Sequence, residues 1–553
     1  MDHRILNSLI VAAAIFLVGL VVLAILYGPT PNPGESANDD AEPTPATAVS
    51  TPEPTPEQNV NASPAPAEAD PTPTPTEVPT RSIAGVVVDA ETDEPLGGVT
   101  VALMLNDEEA ESTTTGETGE FEFPNAPDEA TLVFSMDGYV TSEESMPDEG
   151  DLRVALASSL LAGRIVDANG EPVFDATVAS GEELSRTDQD GHFQLDGDQS
   201  HDELVVKAPG YFAQTIPVSE FEGELTLQDK EIKGLYATAG AVADNERFSG
   251  LLDLIDRTEL NAIVLDIKDS SGHVFHDTDV ETAHEIDAVL PMYSLESVID
   301  ELNARGIYAI ARIVIFEDPI LAVARPELAI QDSQEGGVWR TFTGLPWTNP
   351  YREEVWDYNI QLMHEAAAAG FDEVQLDYMR FPTDGPLNRA DYGQESNAET
   401  RDGAIAAFLE RSYEALGPTT TYLTGDIFGM TLWDPTEGEI GQNLVTVAER
   451  LDYVHPMIYP SHFYEGAMGF EVPNDHPYEV ILQSLEHGVQ YLDEHQRVKL
   501  RPWLQDFSYG VGIDYGPTEV REQIRAAEDF GVSGWMLWNA AVNYHEEALE
   551  SAP

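Results

Sequence analysis

Hydrophobic and polar residues follow different patterns in different parts of the chain, and each pattern predicts its own kind of element. Residues Ile5–Tyr27 form a largely apolar run without a charged residue. Between residues 82 and 231, apolar residues alternate with polar ones in short stretches that end at Asp and Gly, which predicts short β-strands. From residue 233 onward, longer apolar stretches alternate with amphipathic segments, which predicts strands and helices in turn.

The apolar run near the N-terminus predicts a transmembrane signal anchor over residues 1–28. At about 1.5 Å per residue, a helix of this length crosses a hydrocarbon layer of roughly 30 Å. Arg4 precedes the run and the next basic residue is Arg81, which favours a single-pass orientation with the bulk of the chain outside the cell membrane. A cleaved signal peptide is the alternative, but its apolar part is usually shorter and ends at a small-x-small site.

Residues 29–81 are rich in Pro, Thr, Ala and Glu and contain no aromatic residue. A segment of this composition cannot bury a core, which predicts a disordered, extended linker between the anchor and the folded part.

Residues 82–231 contain an internal repeat. AGVVVDAETDEPLGGVTV from Ala84 is echoed by AGRIVDANGEPVFDATV from Ala162, and Gly-x-Phe and Gly-Tyr follow in both copies. Short alternating strands between Asp/Gly turns are typical of a small β-sandwich, so we predict two of them, at residues 82–157 and 158–231. The order of these motifs resembles the carboxypeptidase regulatory-like domain, a transthyretin-like sandwich. The resemblance implies a fold and no chemistry.

Eight strand candidates follow residue 233, at 234–239, 261–269, 308–316, 373–381, 421–429, 453–461, 500–507 and 534–539. Amphipathic helix candidates lie between them, at Phe248–Thr258, Leu295–Arg305, Arg352–Ala369, Asp402–Leu416, Gln442–Arg450, Pro477–His495 and Thr518–Phe530. Periodicity alone also allows an open doubly wound sheet. The count of eight predicts a closed (β/α)8 TIM barrel over residues 232–553.

Composition excludes several classes of function. The chain has 26 Lys and Arg against 101 Asp and Glu, a formal net charge of −75, which repels nucleic acids and anionic lipid. Either a salty surrounding or acids that coat solvated faces and linkers would explain this charge. There is no cysteine, so disulfides, zinc–thiolate sites and cysteine nucleophiles are excluded.

Asp377 is the predicted catalytic residue around which the rest of the site is assembled. It lies in the stretch Gly370–Pro382, where Val374, Leu376 and Tyr378 alternate with polar residues as in a mostly buried strand. Active sites of parallel barrels are built at the C-terminal ends of the strands, which is where this carboxylate falls. We therefore predict Asp377 as the nucleophile of a glycoside hydrolase, with Arg380 as the cation that keeps it ionised.

The second carboxyl of such a site must be a proton donor. Asp426, at the end of the next strand in apolar surroundings, is the predicted acid. Asp506 and Asp266 are the alternatives. Polar and aromatic residues at the other strand ends suit a sugar, because indole rings dock pyranose faces and amides bind hydroxyls. The predicted substrate-binding residues are Asp266, Asp269, Arg380, His455, Tyr459, Trp503, Gln505, Asp506, Trp538 and Asn539.

Each assignment has a purely structural alternative. Asp377 could form only a structural ion pair with Arg380, Asp426 could cap the following helix, Asp266 and Asp269 could be turn residues, and His455 could be a core histidine. Trp503, Trp535 and Trp538 could each be barrel packing rather than sugar platforms. No metal site and no cofactor is predicted, because the conceivable ligands Asp377 and His455 lack the HxH or HExxH spacing of known sites.

The segments NAIVLDIKDSSG, ARIVIFEDPILA, FDEVQLDYMRFP, HPMIYPSHF, RPWLQDF and GWMLWN together resemble a bacterial glycosyl hydrolase domain of unknown function. The resemblance covers residues 233–553 and implies a TIM barrel related to the alpha-amylase-like hydrolases. In those enzymes the strand-four aspartate is the nucleophile, which implies that role for Asp377 and a retaining mechanism. Their strand-five acid is usually glutamate, where this chain has Asp426.

The sequence therefore predicts a membrane-anchored, extracellular glycosidase that acts on a carbohydrate and binds no nucleic acid. A non-catalytic surface protein that binds glycans through the same residues is the alternative. A hydrolase of another bond, such as a metal-dependent deacetylase, is a third hypothesis.

Overall fold

The computed structural model describes residues 80–106, 108–147, 151–196, 202–435 and 440–552. The predicted anchor and nearly all of the predicted linker lie outside these residues. Within the described ranges, no helix combines the length and the apolar character that a membrane span requires.

The first β-rich domain consists of two sheets. Its strands are β1 (Thr80–Asp89), β2 (Thr100–Leu105), β3 (Glu108–Thr114), β4 (Glu120–Pro127), β5 (Thr131–Ser135), β6 (Ser142–Ser145) and β7 (Leu152–Leu156). One sheet has the order β4-β1-β7 and the other β3-β2-β5-β6. Phe121 of one sheet packs edge-on against Phe134 of the other, with ring centroids 5.3 Å apart. Apolar residues at alternate positions of the strands therefore form a shared core.

The second β-rich domain repeats this topology. Its strands are β8 (Leu160–Val166), β9 (Thr177–Ser180), β10 (Glu183–Arg186), β11 (His192–Asp196), β12 (Glu203–Lys207), β13 (Gln214–Pro217) and β14 (Glu224–Thr226). The sheets have the orders β11-β8-β14 and β10-β9-β12-β13. In both copies the first strand pairs antiparallel with the fourth and parallel with the seventh. The predicted pair of β-sandwiches is confirmed.

Eight parallel strands of the C-terminal region close into a barrel, which confirms the TIM barrel and excludes the open sheet. The barrel strands are β15 (Ile232–Ala237), β16 (Ala262–Lys268), β17 (Tyr308–Val314), β19 (Glu373–Asp377), β21 (Tyr422–Phe428), β22 (Tyr453–Ile458), β23 (Trp503–Gln505) and β24 (Gly534–Trp538). Two short strands, β18 (Gln331–Asp332) and β20 (Ala390–Asp391), pair with each other outside the barrel.

The α-helices of this region are Ala239–Ala243, Asn245–Arg257, Glu281–Glu285, Leu295–Arg305, Pro319–Ala324, Glu353–Ala369, Ala398–Leu416, Leu444–Arg450, Pro477–Gly488, Glu494–Arg497 and Pro517–Phe530. Several end at a glycine in the left-handed region, such as Gly370 with φ 97°. The single helix predicted over Pro477–His495 is wrong. It ends at Gly488, and a new turn begins after Asp493, which caps Glu494–Arg497.

Inward-facing side chains fill the barrel in layers, with polar pairs among them. Near the N-terminal ends of the strands, Arg501 donates a 2.7 Å hydrogen bond to Glu373, and both are fully buried. The second sandwich packs against this end of the barrel, within one compact unit. There Lys207 Nζ donates to the backbone carbonyls of Leu416 and Thr421, at 3.0 and 2.6 Å. The opposite end of the barrel, where the strands finish, is therefore the end left for a site.

Candidate active site

Arg312 lies at the centre of the polar cluster at the C-terminal ends of the strands, although the sequence analysis did not select it. It faces into the barrel from β17. Its Nε and Nη2 donate to Asp377 Oδ2 at 3.2 and 2.5 Å, and its Nη1 donates to Asp266 Oδ1 at 2.5 Å. All three side chains are buried. One guanidinium therefore bridges two carboxyl groups from the strands on either side of it, by charge-assisted hydrogen bonds.

Asp377 is the last residue of its strand because the next residue turns the chain away. Tyr378 has φ 51°, in the left-handed region that non-glycine residues seldom adopt. Its backbone N–H donates to Asp377 Oδ1 at 2.6 Å. Both carboxylate oxygens are thus held, and strain of this kind concentrates at functional sites. The strand predicted to reach Phe381 is four residues too long for the same reason.

Arg380 does not pair with Asp377 in this arrangement, so its predicted role as that aspartate's counterion is wrong. Its guanidinium lies among aromatic rings, 4.6 Å from the centroid of Phe428 and 5.1 Å from that of Trp347. The turn at Tyr378 carries Arg380 past the carboxylate, and Arg312 provides the charge instead. This also removes the alternative in which Asp377 and Arg380 form a structural ion pair.

Asp426 is the second buried carboxyl of the cluster and is only 1% exposed. Trp503 Nε1 donates to its Oδ1 at 2.8 Å. Burial raises the pKa of Asp426 well above its usual range, and the nearby charge of Asp377 raises it further. The short helix that follows this strand has no side-chain cap, so the helix-capping alternative does not apply. Asp426 is therefore held in its neutral form next to Asp377.

Aromatic rings form one wall of the cluster. Tyr236 and Trp538 stack with centroids 4.1 Å apart, and Trp503 meets Trp538 edge-on at 5.5 Å. Tyr236 also donates a 2.5 Å hydrogen bond to Asp266, and burial raises the pKa of Asp266 to about 6. Tyr459 is buried beside this wall and its pKa is raised by burial and then by Asp426. Trp538 is the partly exposed member and faces the opening.

His455 lies deeper in the barrel and is fully buried. Its Nδ1 contacts the side-chain amide of Gln375 and is 3.6 Å from Asp426 Oδ1. Burial, followed by the charge of Arg501, lowers its pKa well below the usual value, so the imidazole is neutral. These contacts favour the core-histidine alternative over substrate binding.

Four other predicted binding residues are used by the protein itself. Gln505 Oε1 accepts a hydrogen bond from Ser461 N–H at 3.1 Å, and its Nε2 donates to the carbonyl of Phe507 at 2.8 Å. Asp506 accepts hydrogen bonds from the backbone and ring of His545, at 3.0 and 2.5 Å. Asn539 Nδ2 donates to backbone carbonyls of Asp506 and Asn543, and Asp269 accepts from Ser271 N in a tight turn. These side chains fix the loops around the cluster, as the turn alternative for Asp269 proposed.

Glu317 is a further carboxyl at this end of the barrel, three residues beyond β17. It is half-buried, and burial raises its pKa to about 8, opposed by the charge of Arg380. The carboxylates of Asp384 and Asp377 raise it further. Among the described residues there is no cluster of three or more His, Asp or Glu side chains suited to a metal ion.

A closed parallel barrel defines a site of the glycoside hydrolase type when its strand ends bring together a wall of aromatic rings and two buried carboxyls, one paired with a guanidinium and one kept neutral by burial. The family model described as "Putative glycosyl hydrolase domain" matches residues 234–544, more than half of the chain, and the chain belongs to that family. It is a glycosidase-like enzyme of undefined specificity. The carboxypeptidase regulatory-like domain matches residues 82–157.

Solved structures with similarity include barrels of glycoside hydrolases. A hypothetical protein from Ruminiclostridium thermocellum is 35% identical, over 34% of this chain and 96% of its own, with a TM-score of 0.31. The PgaB glycoside hydrolase domain from Bordetella bronchiseptica is 14% identical, over 57% of this chain and 94% of its own, with a TM-score of 0.43. An alpha-galactosidase from Thermus thermophilus, solved with stachyose, is 15% identical, over 75% of this chain and 77% of its own, with a TM-score of 0.36. No match was found among curated proteins.

Proposed function

We propose that this protein is a membrane-anchored glycosidase that faces outward and cleaves O-glycosidic bonds of a polysaccharide or oligosaccharide with two carboxyl groups. One observation carries the proposal. Asp377 is paired with Arg312, while the pKa of the neighbouring Asp426 is raised by burial. Two carboxyls whose environments separate their protonation states are what acid–base chemistry at a glycosidic bond requires.

In the proposed reaction Asp377 is the nucleophile. One of its oxygens forms a bond to the anomeric carbon while the bond from that carbon to the leaving oxygen breaks. A neutral carboxyl gives its proton to the leaving oxygen. Water then attacks the anomeric carbon, passes a proton to the same carboxyl, and releases Asp377. This sequence retains the anomeric configuration.

The proton donor must be a neutral carboxyl at the same opening. Asp426, predicted from the sequence, has a suitably raised pKa. Glu317 has one as well, at about 8. Both are therefore candidates, and their accessibility distinguishes them.

The substrate is proposed to be an uncharged or weakly charged sugar. The half-exposed indole of Trp538, backed by Tyr236, offers a flat face for a pyranose ring. Arg312 is already committed to two carboxylates and Arg380 is enclosed by rings, so neither is available to bind an anionic sugar.

The membrane location rests on the apolar run in residues 1–28 and on the position of the basic residues around it. It is tested with the full-length chain in sealed cells. Added protease should remove the β-rich domains and the barrel while a short fragment stays with the membrane. Full protection, or recovery of the whole chain from the medium, would contradict the anchored, outward orientation.

The enzymatic proposal is tested by screening the soluble fragment 80–553 on plant, algal and peptidoglycan-type polymers and on aryl glycosides. Asp377→Asn should lose turnover by several orders of magnitude while its circular dichroism stays unchanged. Asp300→Asn, on the exposed face of the helix Leu295–Arg305, is the matched control. Glycan binding without turnover in the wild type, unaffected by Asp377→Asn, would instead identify a carbohydrate-binding protein.

A further inference from the structure

Glu317 is held beside Asp377 by backbone pairing that continues beyond the barrel strands. Ile315 N–H donates to the carbonyl of Asp377 at 2.9 Å, and Phe316 N–H donates to that of Tyr378 at 3.3 Å. The segment after β17 therefore runs alongside the segment after β19 at the opening. Its next residue, Glu317, is fixed in position relative to the proposed nucleophile by main-chain bonds rather than by a flexible loop.

Asp318, the residue after Glu317, has a structural role and provides a comparison. Asp318 is fully buried, accepts a 2.9 Å hydrogen bond from Leu321 N–H at the start of the helix Pro319–Ala324, and lies 2.9 Å from Lys268 Nζ. Glu317 has no hydrogen bond to any of the residues that the structure describes. Its carboxyl is half-buried and free to bond to a substrate.

The charged and titratable groups that face Glu317 come from two segments besides its own. Asp377, Tyr378, Arg380 and Asp384 lie on the segment that starts at the end of β19, and Arg312 lies on β17. Burial is the largest influence on its pKa of about 8, and the two cations lower that pKa while the two aspartates raise it. The glutamic acid is therefore neutral at pH 7 and ionises in a mildly alkaline solution.

Asp426 is placed less well for exchanging protons with a substrate and with water. Its side chain is 1% exposed, and one of its oxygens accepts from Trp503 Nε1. An acid/base residue must reach the leaving oxygen and later take a proton from an incoming water. The partly exposed carboxyl of Glu317 at the opening can reach both, whereas Asp426 is enclosed and already bonded to Trp503.

We propose that Glu317, and not the enclosed Asp426, is the acid/base residue of this site. The proposal rests on the proposed glycosidase function. As the bond from Asp377 to the anomeric carbon forms, Glu317 gives its proton to the leaving oxygen, and the bond between that oxygen and the anomeric carbon breaks. In the second step Glu317 takes a proton from the water that replaces Asp377.

The test compares Glu317→Ala, Asp426→Ala and Asp377→Ala on phenyl and dinitrophenyl glycosides of one sugar, with the surface variant Glu296→Gln as control. Glu317→Ala should lose the phenyl glycoside by roughly 100-fold to 10,000-fold, because phenol needs a proton to leave. With the dinitrophenyl glycoside, Glu317→Ala should retain the first step, because dinitrophenol leaves without needing a proton. Added azide should restore turnover. Glu317→Gln should also remove the alkaline limb of the kcat/KM profile.

The outcomes separate the two proposals. If Asp377→Ala loses activity on both substrates while Glu317→Ala equals the wild type, the acid/base assignment is overturned and the proposed glycosidase function stands. If Asp426→Ala instead loses activity on the phenyl glycoside and keeps the first step on the dinitrophenyl glycoside, Asp426 is the acid/base residue. Full activity of Asp377→Ala contradicts the proposed function itself. Infrared titration of the unliganded protein adds a readout without substrate: Glu317→Gln should lose a protonated-carboxyl band present at pH 7, and an unchanged spectrum contradicts the proposal.

Discussion

The guanidinium of Arg312 donates two hydrogen bonds to a single oxygen of Asp377, from Nε at 3.2 Å and from Nη2 at 2.5 Å. The third contact of this guanidinium, to Asp266, ties the same cation to the strand on its other side. Because all these groups are buried, the guanidinium and not solvent holds the two side chains in place. The geometry of the site therefore depends on this contact among Arg312, Asp377 and Asp266.

Replacing Arg312 by lysine should disable the site while leaving the fold in place. A lysine ammonium is a point charge and cannot reproduce the planar fork that reaches both aspartates. We expect kcat/KM to fall at least about tenfold, because a lysine cannot make the charge-assisted hydrogen bonds that hold both Asp377 and Asp266. Steady-state kinetics of Arg312→Lys measure this. Arg305→Lys, whose partners Asp253 and Asp256 lie at the surface, is the matched control. Equal kcat/KM values for the two variants would contradict the role given to Arg312.

Asp426→Asn should stabilise the protein at neutral pH. Burial raises the pKa of Asp426 in the folded state above that of the unfolded chain, so folding binds a proton that unfolding releases. The free energy of unfolding therefore falls as pH rises from about 4, the unfolded pKa, toward the folded pKa. Asparagine imitates the neutral acid and removes this dependence.

Urea unfolding of the wild type and Asp426→Asn at a series of pH values checks this expectation. The difference in unfolding free energy should be near zero below about pH 4 and should favour Asp426→Asn increasingly above it. A constant difference across that range would mean that Asp426 is not held neutral.

Trp538→Ala should weaken substrate binding more than it slows the chemistry. The half-exposed indole, stacked on Tyr236, does not touch the reacting oxygens in the proposed scheme. Its loss removes contacts made equally to substrate and transition state, which raises KM with a smaller change in kcat. Trp538→Phe, which keeps a flat ring, should recover most of the lost binding. A fall in kcat with an unchanged KM would place the indole in the chemical step.

The architecture could be predicted from hydrophobic periodicity because each barrel strand is a buried apolar run and each helix is amphipathic. Local backbone conformation could not be predicted. The strand carrying Asp377 looks continuous to Phe381 in the sequence, but the positive φ of Tyr378 ends it at the aspartate. That one residue also moved Arg380 away from the carboxylate it was expected to neutralise.

The direction of a side chain could be predicted from the sequence only where a strand position decides it. Arg312 could have been found, since a lone arginine at an alternate position of the run YAIARIVIF must face the barrel interior. Gln505, Asp506 and Asn539 lie at the ends of their strands as Asp377 does, yet they bond to backbone groups of neighbouring loops. Sequence shows which strand end a polar residue occupies but not whether a loop will use it.

Lys230 provides a stability test at the other end of the barrel, away from the site. The lysine is 5% exposed, donates a 3.0 Å hydrogen bond to Tyr308 Oη, and lies 3.6 Å from the centroid of the Tyr422 ring. Burial, followed by the charge of Arg501, lowers its pKa to about 7. In the unfolded chain its pKa is about 10.4, so between these values unfolding takes up a proton.

Unfolding that takes up a proton becomes harder as pH rises, so the wild type should gain stability between about pH 7 and pH 10 through Lys230. The gain approaches about 1.4 kcal/mol per pH unit where the folded lysine is neutral and the unfolded one charged. Lys230→Met, similar in length and without a charge, should lack this contribution. Urea unfolding of both proteins up to pH 9 measures the difference, before tyrosines titrate in the unfolded chain. Parallel pH dependences would show that Lys230 keeps its proton in the folded state, held by the surrounding tyrosine rings.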